Sequence, residues 1–96
     1  MPTYITLGQW TTQGIKDVKD SPNRIAKARR MFHDAGAQVK GVYMTMGRFD
    51  IVALCEAPDD ATMAGLMLNL SQGGNVRFET MKAFGEKEHL EIIASM

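Results

Sequence analysis

An α+β fold with its elements in the order βαββαβ is predicted by three observations. Four short runs rich in β-branched and aromatic residues alternate along the chain, two longer stretches carry an apolar stripe at helical spacing, and glycine or proline marks each boundary. At 96 residues the chain has room for one core, so a single domain over residues 1–96 is expected.

Thr3 to Trp10 alternates Ile5 and Leu7 against Thr6 and Gly8 and predicts the first strand. A polar stretch with Gly14 follows. Asp20-Ser21-Pro22 then supplies a helix start, with Ser21 as cap and proline in the first turn. Ile25, Ala28, Phe32 and Ala35 share one helical face, Met31 lies beside them, and Gly36 supplies a left-handed stop.

Val39 to Met46 and Phe49 to Glu56 are strand-like runs joined through Gly47-Arg48, which predicts an antiparallel hairpin of the second and third strands. Pro58-Asp59-Asp60 places acids at a helix N-terminus, and Met63, Leu66, Met67 and Leu70 form the stripe of a second helix ending at Gly73-Gly74. Val76 to Ala83 alternates Val76, Phe78 and Thr80 against Arg77, Glu79 and Met81 as a fourth strand. Glu86 to Met96 predicts a short C-terminal helix. Two βαβ units joined by a hairpin make a ferredoxin-like sandwich.

Two helices cover one face of a four-stranded sheet, so a monomer should be polar on the other. Here both faces are apolar: Ile51, Ala53 and Cys55 oppose Val52 and Leu54 in the third strand, and Val39 and Tyr43 oppose Val42, Met44 and Met46 in the second. A symmetric homodimer, or a larger homo-oligomer, covers the second face; a C-terminal helix laid over it in a monomer is the alternative.

Eleven basic and eleven acidic residues cancel, which argues against nucleic acid or an anionic membrane as partner, and the run Lys27, Arg29, Arg30 fits a solvated helix face. The lone Cys55 makes no internal disulfide and suits a reducing, cytoplasmic setting; as a residue of a central strand its thiol should be inert. No secretory leader, membrane span, metal-ligand spacing or phosphate loop is apparent, and no metal or cofactor is expected.

The stretch Tyr43-Met44-Thr45-Met46-Gly47-Arg48-Phe49-Asp50-Ile51-Val52, continued by Glu56-Ala57-Pro58-Asp59-Asp60, resembles the GYD domain family. So do Trp10-Thr11-Thr12-Gln13-Gly14-Ile15-Lys16, Gly74-Asn75-Val76-Arg77 and Ala83-Phe84. The resemblance runs over nearly the whole chain and implies a ferredoxin-like fold of the dimeric α/β-barrel type. Phe49 stands where the family signature has tyrosine, which removes a phenolic hydroxyl from any role it has there.

For chemistry, Asp50 beside a turn is the candidate general base, against a role in fixing the hairpin through turn amides. Trp10, Tyr43, Asp50 and Glu79, at strand ends, are the expected ligand-binding group. His33 and His89 lack ligand-spaced partners, and Arg77, Glu79 and Lys82 fit a charged edge strand. Three functions remain open: a homo-oligomeric module binding a small, largely apolar ligand between sheet and helices; a cofactor-independent enzyme resembling small monooxygenases or isomerases; and a regulatory or assembly module.

Overall fold

A computed structural model describes residues 1–96. Strands β1 (Thr3–Trp10), β2 (Gln38–Met44), β3 (Ile51–Glu56) and β4 (Val76–Ala83) form one antiparallel sheet in the order β2-β3-β1-β4. Helices α1 (Thr12–Lys16), α2 (Ser21–Asp34), α3 (Asp60–Gln72) and α4 (Glu86–Ala94) complete the chain, with a 3-10 turn at Val18–Asp20. The α+β class and the split βαβ connectivity agree with the sequence.

Local chemistry sets the helix ends. Asp59 accepts the Thr62 amide at 2.7 Å and caps α3. α2 opens differently from the expected Ser21 cap: Ser21 is its first helical residue, Asp20 precedes it, and the Asp20 carboxylate accepts Asn23 Nδ2 at 2.8 Å. At the far end Gly36 takes φ 74°, a left-handed conformation that costs glycine nothing and ends the helix.

Three features depart from the expected boundaries. α1 and the 3-10 turn occupy the polar stretch around Gly14, where the sequence predicts no element. β2 and β3 are shorter than expected, and residues 45–50 form their connection, so Phe49 lies in a turn and not in a strand. That turn is closed by Thr45 N–H to the Asp50 carbonyl at 2.8 Å and by the Thr45 hydroxyl to the Phe49 carbonyl at 2.6 Å.

The third departure concerns which face each β2 side chain takes. The β2–β3 register shifts between Val39 and Gly41, a bulge at Lys40. Bulging inserts one residue and inverts the alternation beyond it. Val39 and Val42 therefore sit opposite Cys55 and Ala53 on the helix side, while Tyr43 sits opposite Val52 on the other. The expected pairing of Val39 with Tyr43 is corrected by this inserted residue.

The core lies between the sheet and helices α2 and α3, where Tyr4, Phe32, Val39, Cys55, Met63, Leu66 and Met67 are buried. Phe32 and Met63 are almost wholly enclosed, each contributing about 1.5–3 kcal/mol through burial. Strand β1 turns Tyr4, Thr6 and Gly8 inward, so its aliphatic residues Ile5 and Leu7 point to the uncovered face, opposite Leu54 and Val52. Tyr43 and Met81 extend that apolar row, and Leu54, Met81 and Tyr43 are 38%, 43% and 62% exposed. The helix α4 does not cover it: every residue from Glu86 to Ala94 is itself exposed.

Candidate functional site

On the helix side, α2, α3 and the sheet enclose a cavity of about 210 Å³. Small side chains make the room. Thr6 and Ala53 pair across β1 and β3, and Ala28 of α2 faces the same space, so the wall recedes where larger residues would meet. Phe32, Val42, Met67 and Phe78 contribute apolar wall, and Trp10 and Ile25 lie toward the end nearest the start of α2.

Both charged groups of this cavity come from α2, while Thr6, Asn69 and Asn75 add polar groups from β1, α3 and the residue before β4. Ser21, Arg24 and Lys27 recur every three residues, a spacing that keeps them along one side of a helix, and all three line the space. Arg24 Nη2 donates to the Asp17 carbonyl at 2.8 Å and the Gly14 carbonyl at 3.3 Å. Its Nε and Nη1 are buried without a hydrogen-bond partner, and so is Trp10 Nε1. Cys55 also lines the cavity; burial pushes its thiol up to about 11, with Arg29 pulling weakly the other way, so at neutral pH it is an unreactive thiol.

Of the four residues expected to share a site, the structure joins two. Asp50 Oδ2 accepts the Trp10 backbone N–H at 3.0 Å, and the Trp10 side chain lines the cavity. Tyr43 and Glu79 lie across the sheet: their register partners, Val52 and Leu7, belong to the uncovered face. The pleat separates them, because strand ends that are close along the backbone still send alternate side chains to opposite faces. The Asp50 carboxylate thus bonds an amide at the end of β1 and not an amide of its own turn. His33 and His89 are exposed, and so is the run Lys27, Arg29, Arg30, as expected of a solvated face; Lys27 also reaches the rim of the cavity, and Arg29 Nη1 bonds the Val39 carbonyl at 3.0 Å.

Sequence reasoning missed Ser21, Arg24 and Asn75, which also line the cavity. A signal existed for Arg24: it precedes Ala28 by four residues and so continues the apolar stripe of α2 rather than its solvated side. It also missed a polar cluster at the opposite end of the sheet. The Tyr4 hydroxyl donates to the Asp60 carboxylate, and Lys82 Nζ lies 3.2 Å from the same carboxylate. The hydrogen bond to Asp60, with burial adding, pushes the Tyr4 hydroxyl up to about 12, and the same bond, with Lys82, holds Asp60 below the usual carboxylate range.

The profile of the GYD domain matches residues 4–93. A protein of Thermus thermophilus named glutamine synthetase and cystathionine beta-lyase binding protein is 36% identical over 84 residues, which cover 86% of this chain and 88% of that one. Among solved structures, a feast or famine regulatory protein of Mycobacterium tuberculosis, complexed with L-methionine, superposes with a TM-score of 0.67 at 14% identity over 88% of this chain and 51% of the other. The M. tuberculosis leucine response regulatory protein gives a TM-score of 0.65, also at 14% identity, over 88% and 51%. The chain thus spans about half the length of these two structures, and the likeness to them is one of fold.

Proposed function

The chain belongs to the GYD domain family, and from that premise we propose that it is a cytoplasmic, homo-oligomeric binding module that pairs copies through the uncovered sheet face, holds a small apolar ligand in the helix-side cavity, and docks on a partner protein. The observation that carries this reading is the apolar row of Ile5, Leu7, Val52, Leu54 and Met81 on that face, ending at Tyr43. Leaving it in water exposes a contiguous patch of the kind that marks an interface. A second copy related by a two-fold axis presents the same row and covers it, since such an interface is self-complementary. Docking on a partner protein is supported by the name of the Thermus relative, which describes binding to two enzymes.

Light scattering over a wide concentration range tests the assembly. A dimer or a multiple of it is expected, with Leu54→Asp and Val52→Asp each dissociating it, because both side chains lie on the same face. A wild-type chain that stays monomeric at micromolar concentration would overturn the self-pairing. Native mass spectrometry of freshly purified protein reports any retained ligand in the same experiment.

A further inference from the structure

We propose that the helix-side cavity takes an amphipathic monocarboxylate, with its carboxylate held by Arg24 at the α2 end and its apolar body among Phe32, Val42, Met67 and Phe78. The proposal deepens the binding reading above and rests on its ligand cavity. Two independent observations carry it.

The first is the charge of the lining. Arg24 and Lys27 are the charged residues around the cavity, both positive, and no aspartate or glutamate lines it. Neither cation has a carboxylate within ion-pairing distance, since the ion pairs of the molecule are Lys40 with Glu56 and Lys82 with Asp60. Lys27 is exposed at the rim, whereas Arg24 is half-buried, and its uncompensated charge beside an apolar wall is attracted to an anion more strongly than it would be in bulk water.

The second is the donor count. A guanidinium carries five N–H donors and no acceptor. The two on Nη2 are engaged by the Gly14 and Asp17 carbonyls; the three on Nε and Nη1 are buried and unpartnered, and the Trp10 indole N–H adds a fourth. Every orphaned group is a donor, so the missing partner is an acceptor. A carboxylate supplies acceptor oxygens carrying the negative charge that strengthens a hydrogen bond from a guanidinium. The volume, about 210 Å³, lies below the usual range for drug-sized ligands and suits a short chain or a single ring.

Octanoate, 1-octanol and octylamine share one apolar body and differ at the head group, so they test the proposal on the unmodified chain. Binding is read by Trp10 fluorescence, Trp10 being the one tryptophan, and by calorimetry at neutral pH. Octanoate should bind at least about tenfold tighter than 1-octanol, the increment of a charge-assisted hydrogen bond, and octylamine weakest. Arg24→Gln should bring octanoate to the level of 1-octanol while leaving 1-octanol unchanged, and Arg24→Lys should keep part of the preference. If Arg24→Gln does not fold, the ranking of the three probes on the unmodified chain and the weakening of octanoate with salt still decide. Equal binding of octanoate and 1-octanol overturns the carboxylate assignment and leaves the apolar cavity standing. Saturable binding by none of the three overturns both.

Discussion

The Asp50 carboxylate accepts the backbone N–H of Trp10 at 3.0 Å, while the Asp50 N–H donates to the Gly8 carbonyl at 2.8 Å. One residue thus locks the end of β1 to the turn that opens β3, and it positions the backbone from which the Trp10 ring enters the cavity. Asp50→Ala removes a charge-assisted bond and should lower stability by about 1.5–3 kcal/mol; Asp50→Asn keeps an acceptor and should cost less. Denaturant unfolding measures both, and an unchanged midpoint for Asp50→Ala would show that the lock contributes nothing.

Gly14 is buried against the backbone of Asn75: a Cβ built there stands 1.9 Å from the Asn75 carbonyl oxygen. The neighbour is main chain and also accepts the Thr11 N–H at 3.0 Å, so it has little freedom to move away. Gly14→Ala should destabilise by about 3 kcal/mol or more, at the upper end of overpacking. A loss below about 1 kcal/mol would mean that α1 can lift from the start of β4 without consequence.

The Tyr4–Asp60 bond makes stability depend on pH at both extremes. Asp60 is held below an unfolded carboxylate value near about 4, so its contribution is present above that value and lost as pH falls through its folded pKa. Asp59, held down by the Thr62 amide, acts in the same direction. Tyr4 is pushed up to about 12 from 10.0, so its contribution is complete below pH 10 and lost as pH rises toward 12. Tyr4→Phe should flatten the alkaline limb of a stability-against-pH curve and also make the acid limb shallower, because the folded pKa of Asp60 moves back toward its unfolded value. An alkaline limb identical to wild type would exclude Tyr4 as its source.

Phe49 is half-buried in the 45–50 turn, with the Arg48 guanidinium 5.8 Å from the centre of its ring. A ring that is only partly enclosed has a path for a hydroxyl to reach water. Phe49→Tyr, which restores the residue of the family signature, should change stability by less than about 1.5 kcal/mol. A much larger loss in denaturant unfolding would show that the ring edge is sealed.

The class, the strand order along the chain and the two main helices were legible because each repeats a simple period with a marked end. The five-residue α1 was not, since it has no room for an apolar stripe and is held by contacts distant in sequence: Thr11 caps Gly14 through its hydroxyl oxygen, and Gln13 Nε2 donates to the Gly73 carbonyl and to Asn75 Oδ1. The bulge at Lys40 was hidden because alternation presumes that no residue is inserted, although Gly41 inside a strand was a signal for one. The candidate site was half legible. Trp10 was placed by its size; the helical spacing of Arg24 from Ala28 hinted at its face, but the lack of an acid around the apolar space beside it depends on residues brought together by the fold.

The exposure of α4 makes that helix a natural gauge of association. Nine residues are too few for a helix to be more than marginally populated in water on its own propensity. The amides of Glu86–Ala94 should therefore exchange with solvent deuterium at rates set by local opening, while those of β1 and β3 follow global unfolding. Any surface that comes to rest against Leu90 and Ile93 slows the exchange of this one segment, so its protection measures how much of the protein is engaged, whatever the identity of the binder.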